Sequence, residues 1–250
     1  MPDATPRVIL CTDLDGTFLG GTDAERKHLY QLIEAHRSQV HLVFVTGRDL
    51  DHIQLLCEQP GFPRPDHIVG DVGTTVVDGR TLEPVEPIQS EIAAAWGSPN
   101  ERIDAVVAGS PGIRPQPTAF SYRRSFYYEP DTLDPSLPGR IEALGYDCLL
   151  SANLYLDVLP KGISKGPTLT RLLDQLGFDR HRALVAGDTR NDTSMFLVGL
   201  KGVVVGNAEP QLKDATQGIP QVIHATGHGA AGIVEALHHF NLHPIEGASP

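Results

Sequence analysis

The chain has 250 residues, 40% of them hydrophobic and 20% charged, which is the composition of a globular protein rather than of a disordered or fibrous one. Its formal net charge of -11 and pI near 5.4 argue against a nucleic-acid or anionic-membrane partner. No apolar run approaches the roughly 20 residues needed to cross a bilayer. The N-terminus, with Pro2, Asp3 and Pro6, has no secretory-signal pattern, and three scattered cysteines (Cys11, Cys57, Cys148) without a CxxC read as reduced, so a cytoplasmic location is expected.

The first element in the chain is an apolar strand, Val8–Thr12, which runs into Asp13-Leu14-Asp15-Gly16-Thr17. Ligands bind at the carboxyl ends of strands in open α/β sheets. Residues i and i+2 on a strand share a face, so Asp13 and Asp15 are expected to converge on one cation and one substrate, with Gly16 and Thr17 offering backbone donors. A helix over 23–38 follows, with Thr22 or Asp23 as its cap. His41–Thr46 is a second continuous apolar strand, ending in Thr46-Gly47-Arg48, and a helix over 49–59 stops at Pro60-Gly61. Residues 67–69 form a third strand, followed by a hairpin expected through Asp78-Gly79.

From about Glu83 prolines crowd in, at Pro84, Pro87, Pro99, Pro111, Pro115 and Pro117. Helical patches over 90–97 and 138–145 flank an aromatic strand over 120–129, and strands over 148–151 and 154–159 are joined by Ala152-Asn153. This block is expected to be a small, mostly antiparallel α/β module. The core pattern returns after Gly162, with a helix over 165–176, strands over 183–186 and 202–205, and a final helix over 230–240. The expected fold is therefore α/β: a doubly wound, Rossmann-like parallel-sheet core built from residues 1–82 and 162–250, with residues 83–161 inserted as an α/β cap.

Three further segments carry chemistry. Thr46 at a strand end can hydrogen-bond a phosphoryl oxygen, helped by helix-N-terminal amides. Lys165 opens a helix, where a cation opposes the macrodipole unless an anion waits there; Lys161 is the competing lysine. Gly187-Asp188-Thr189-Arg190-Asn191-Asp192 is a polar turn after a strand. Asp13, Asp15 and Asp188 form an all-oxygen set suited to Mg²⁺.

In order and spacing these segments resemble motifs I to IV of the haloacid dehalogenase superfamily of phosphotransferases, and the inserted cap resembles its Cof-like branch. The resemblance implies that Asp13 is the nucleophile and Asp15 the general acid/base, the latter also offering its backbone carbonyl to the metal. Thr46, Gly16, Gly47, Arg48, Lys165 and Asn191 would then contact phosphate or substrate. Asp188 would ligate Mg²⁺, and Asn191 and Asp192 would hold metal-bound water or orient Lys165. The segments DHIVGDVGTT, LDVLPKGISKG, GDTRNDTSMF and VGNAEPQL narrow the resemblance to the sucrose-phosphate phosphatase group, which includes phosphatases of mannosylfructose phosphate and of glucosylglycerol phosphate. A monomeric enzyme acting on a small sugar phosphate is implied. Mannosyl-phosphoglycerate phosphatase, a sugar phosphomutase and a non-catalytic interaction protein on the same fold remain alternatives. In the cap, Tyr122, Phe126, Tyr127, Tyr128 and Tyr155 are the candidates to meet a sugar, alternate members serving the cap's own core. Arg190, unusual in this pattern, is expected to pair with an acid or reach the substrate.

Overall fold

The computed structural model describes residues 6–118 and 120–244. Its main sheet has seven strands: β1 (Val8–Thr12), β2 (Val40–Val45), β3 (His67–Gly70), β4 (Thr75–Asp78), β9 (Ala183–Gly187), β10 (Lys201–Val204) and β11 (Val222–His224). They lie in the order β11-β10-β9-β1-β2-β3-β4, and all neighbours are parallel except the edge pair β3–β4. The apolar runs of β1 and β2 are covered on both faces. Val8, Leu10, Leu42 and Phe44 pack on one side with helices α1 (Asp23–Ala35) and α9 (Ala230–His239). Ile9, Cys11, Val43 and Val45 pack on the other with α6 (Lys165–Gln175), through Leu169, Leu172 and Leu173. The period of two thus sorts alternate residues between two apolar layers. Helices α2 (Leu50–Cys57), α7 (Thr193–Phe196) and α8 (Pro210–Thr216) complete the core.

A second, wholly antiparallel sheet has the order β5-β6-β8-β7, from β5 (Arg114–Pro115), β6 (Arg124–Tyr127), β7 (Tyr146–Ser151) and β8 (Tyr155–Pro160). With α4 (Asn100–Val107) and α5 (Leu137–Glu142) it encloses its own apolar cluster, including Ile103, Phe126, Leu137, Ile141 and Leu156. Helix α3 (Ile88–Trp96) straddles the two bodies: Ile88 and Ile92 pack in the main core, Trp96 in the second cluster.

Several elements differ from the expected ones. Thr22, not Asp23, caps α1 through a capping box with Glu25, and the helix ends at Ala35. The reversal between β3 and β4 falls at Asp71–Gly73, where Asp71 (φ 51) and Val72 (φ 60) take left-handed conformations. The turn expected at Asp78-Gly79 exists, because Asp78 Oδ1 accepts from the Arg80 and Thr81 amides, but it returns only one bridge, Val77 to Pro84. The aromatic strand pairs over Arg124–Tyr127 alone, since Tyr128 already turns to bond the hairpin end at Leu154. Ala152 and Asn153, both at positive φ, close the β7–β8 hairpin.

Candidate active site

Strand order reverses at β1, from which the chain proceeds to β2 on one side and, after the insertion, to β9 on the other. That is the switch point at which a crevice opens beyond the carboxyl ends. Asp13 extends β1 by one step, its amide donating to the Ala186 carbonyl of β9 at 2.9 Å. Asp188 follows β9, and Lys165 opens α6. The Lys165 side chain is fully buried. Its Nζ donates to Asp13 Oδ1 at 2.7 Å, Asp192 Oδ1 at 2.6 Å and Asn191 Oδ1 at 3.0 Å. Lys161 is elsewhere, exposed and paired with Asp147 at 2.6 Å.

Asp192 is well occupied: besides Lys165 on Oδ1, its second oxygen accepts the amides of Asp188 and Thr189, both at 3.0 Å. Asp188 Oδ1 accepts from Thr17 Oγ1 at 2.8 Å. Gly16, at φ +76, lets the turn pass so close that a Cβ there would fall 2.1 Å from Asp188 Oδ2. Its carbonyl accepts from Asn207 Nδ2 at 2.9 Å, which fixes the turn from β10's side. Thr46 is buried, and its Oγ1 accepts from the Arg48 amide at 3.2 Å.

The electrostatics follow from burial. Asp13, Asp188 and Asp192 bring carboxylate oxygens within 4.8 Å of one another. Against one lysine they leave a surplus of negative charge in a dry site. Burial pushes the Asp13 carboxyl well above the usual range, and Lys165 only partly opposes this because Asp192 and Asp188 stand beside it. Burial and then Asp192 push Asp188 up to about 7. Burial also opposes the charge on Lys165, but Asp13 and Asp192 outweigh it and raise the ammonium's pKa. Hard oxygen donors with surplus negative charge fit a divalent cation such as Mg²⁺, with Asp13 and Asp188 free to ligate and Asp192 committed to Lys165 and the turn.

Asp15 departs from the expected geometry. The strand ends at Thr12, so the shared-face argument does not reach it, and Asp15 lies in the following turn. Its carboxylate stands apart from the acidic cluster, held by Arg48 Nε at 2.7 Å and Nη2 at 2.6 Å. This contact raises the Arg48 pKa. Arg190 donates its backbone amide to Glu209 and turns its side chain toward Tyr128 and the hairpin tip of the second sheet.

Above the cluster lies a cleft of about 530 Å³ between the two sheets. Asp13, Asp15 and Asn191 are on its floor; Tyr127 and Tyr155, with ring centroids 5.9 Å apart, line its other wall. Phe126 and Tyr128 are buried in the second cluster, so the aromatic set divides by alternation. Tyr122 packs at the junction of the two cores. Sequence reasoning missed the Thr17 hydroxyl, Asn207 and the cleft residues His52, Phe120, Arg123 and Asp157. Thr17, Asn207 and Asp157 stand inside the recognised segments, so their signal was available; His52, Phe120 and Arg123 have no local mark.

A mixed α/β core with an inserted cap and this acid–lysine cluster define a member of the haloacid dehalogenase superfamily. The profile of the sucrose-6F-phosphate phosphohydrolase family matches residues 6–241, and the chain belongs to that family. The mannosylfructose-phosphate phosphatase of Agrobacterium fabrum is 32% identical, the match covering 96% of this chain and 99% of that protein. The glucosylglycerol-phosphate synthase of Pseudomonas anguilliseptica is 42% identical over 94% of this chain, which spans only 31% of that longer protein. The sucrose-phosphatase of Synechocystis sp. PCC6803, solved with sucrose and phosphate, superposes with a TM-score of 0.84 at 25% identity, covering 94% of this chain and 98% of that one.

Proposed function

We propose that the chain is a Mg²⁺-dependent phosphatase that hydrolyses a disaccharide phosphate resembling sucrose 6-phosphate, through an aspartyl-phosphate on Asp13. One observation carries the reading: Asp13, paired with the buried Lys165 and with Asp188 beside it, forms part of the floor of a cleft roofed by a cap bearing Tyr127 and Tyr155. The floor can take a phosphate and the roof a sugar ring. A volume of about 530 Å³ lies within the roughly 300–1,000 Å³ of small-molecule sites.

In this mechanism an Asp13 carboxylate oxygen attacks phosphorus, and the bond to the sugar oxygen breaks. Asp15 gives that oxygen a proton, then takes one from the water that cleaves the aspartyl-phosphate. Lys165, its three donors taken by Asp13, Asp192 and Asn191, keeps Asp13 oriented and its charge favours the approach of the phosphoryl group. The Thr46 hydroxyl and the turn amides meet its other oxygens. Asp13 and Asp188 would hold Mg²⁺, which would supply charge neutralisation to the transferring phosphoryl group. The block from 83 to 161 acts as the cap that excludes water and reads the sugar. The reading includes a cytoplasmic monomer, in keeping with three free cysteines and a cleft completed within one chain.

A second reading takes glucosylglycerol phosphate as substrate, favoured by the 42% identity to a relative named for that compound. Phosphate release from sucrose 6-phosphate, mannosylfructose phosphate, glucosylglycerol phosphate and glucose 6-phosphate, ranked by kcat/KM, separates the two. Product analysis for an isomeric sugar phosphate separates hydrolysis from mutase chemistry.

A further inference from the structure

Arg123 stands just before β6, in the inserted block, and is buried to 5% exposure. Its guanidinium has two working edges. Nη1 donates to Asp157 Oδ1 at 3.3 Å, and Asp157 is itself anchored by Ser125 Oγ at 2.5 Å. Those three residues belong to the cap. Nη2 crosses to the core, donating to the Gly47 carbonyl at 3.0 Å with Asp71 Oδ1 at 3.7 Å. The ring of Phe120 lies 3.5 Å from the guanidinium carbon.

Asp157 alone could balance a buried arginine within the cap, so the edge that reaches the core needs a reason of its own. It is not tight packing of polar groups: Arg123 Nε and Asp71 Oδ1 are both buried without a hydrogen-bond partner. Asp71 and Val72 also hold left-handed backbone, which is rare for a β-branched residue and concentrates at functional sites. The geometry at Gly47 supplies the reason. The Gly47–Arg48 peptide is held on both sides, its carbonyl by Arg123 and its N–H by Thr46 Oγ1. Arg48 then grips Asp15 with two bonds. A continuous path of hydrogen bonds therefore runs from Asp157 in the cap, through Arg123 and one peptide plane, to Asp15.

We propose that Arg123 is a positioning residue that couples the seating of the cap to the placement of Asp15. The proposal rests on Asp15 being the acid/base. A residue that merely glues cap to core would, when altered, slow all substrates alike. One that acts through Asp15 matters only where the leaving oxygen needs a proton.

The test uses phosphate monoesters without a sugar, from p-nitrophenyl phosphate to simple alkyl phosphates, in Arg123→Lys and Arg123→Met. The lysine keeps a cation beside Asp157 but lacks the fork that spans two partners. The kcat/KM value reports transfer to Asp13 and is blind to the later hydrolysis step. We expect a loss of less than about 3-fold with p-nitrophenyl phosphate and of about 30–100-fold with alkyl phosphates, Arg123→Lys lying between wild type and Arg123→Met. A loss of equal size across the series in either folded variant would overturn the coupling. If Arg123→Met does not fold, Arg123→Lys and Asp157→Asn decide the matter by the same slope. A wild-type enzyme that releases phosphate from no monoester would defeat the phosphatase reading and this proposal with it; an active wild type with a flat variant profile defeats only the proposal.

Discussion

Replacing Lys165 by methionine tests the cluster most severely. The ammonium is fully buried and is the cation that Asp13 and Asp192 share, at 2.7 and 2.6 Å. Methionine keeps most of the side-chain volume, so little of the effect comes from a cavity. Removing one partner of a buried ion pair costs about 3–5 kcal/mol, because the other charge stays desolvated. Here two carboxylates lose their cation at once, but proton uptake by Asp13 limits the loss, since burial already pushes its carboxyl upward. We therefore expect a loss of about 3–5 kcal/mol, or roughly 6–20 °C in Tm for a chain of this size. Asp13→Asn should act in the opposite direction. A carboxyl whose folded pKa lies above its unfolded value contributes stability at low pH and loses it as pH rises through the folded value. At pH 8, far above the carboxyl's unfolded value, the raised folded pKa is thus a net cost without metal, and the amide removes it, leaving stability unchanged or about 1 kcal/mol higher. Urea denaturation at pH 8 with chelator present measures both. A loss below about 1 kcal/mol for Lys165→Met, or equal losses for the two variants, would refute the argument from buried, shared charge.

Four other outcomes are expected. Activity should vanish on exhaustive chelation, return with Mg²⁺ and be inhibited by Ca²⁺, which takes more ligands at longer distances and misplaces the phosphoryl group; full activity in chelator would contradict the donor set. Burial lowers the His41 imidazole to about 4, with Asp66 only partly opposing, so the unfolded chain binds a proton that the fold does not between about pH 6.5 and 4. Stability should fall by about 2–3 kcal/mol as pH drops through that window, and His41→Gln should flatten the dependence in a pH series of denaturation curves. Tyr127→Ala with Tyr155→Ala should raise KM for the preferred disaccharide phosphate about 10-fold or more while leaving p-nitrophenyl phosphate hydrolysis within about 2-fold; equal effects on both would remove the tyrosines from sugar contact. Replacing the block from 83 to 161 with a short linker should abolish the preference for a disaccharide phosphate over glucose 6-phosphate, and a capless core that still discriminated would clear the cap of that role.

The elements legible in the sequence were those whose causes are local. β1 and β2 are unbroken apolar runs because both faces are covered, and Ala152-Asn153 is a turn pair that tolerates positive φ. The reversal at Asp71–Gly73 was not legible, since no turn signal places a valine at φ 60. Helix α4 is only eight residues long, buries only Ile103 and Val107, and lies in a proline-rich stretch that masks its period. The site divides in the same way. Asp13, Lys165 and Asp188 sit in contiguous segments whose spacing reports the turn that holds them. The strand-face argument for Asp15 failed because β1 ends at Thr12, which a two-residue period cannot reveal, although Asp15 still lines the cleft beside Asp13. Arg123 could not be seen at all: its partners Asp157 and Gly47 are 34 and 76 residues away, and nothing beside it in sequence marks a buried guanidinium.

The most direct measurement of the central claim is mass spectrometry of the enzyme quenched during turnover of a disaccharide phosphate with Mg²⁺. The account predicts a phosphorylated peptide carrying the label on Asp13, present in wild type, absent in Asp13→Asn, and accompanied by free phosphate and free disaccharide. Phosphate release by Asp13→Asn, or turnover in which the label sits on any other residue, would contradict it.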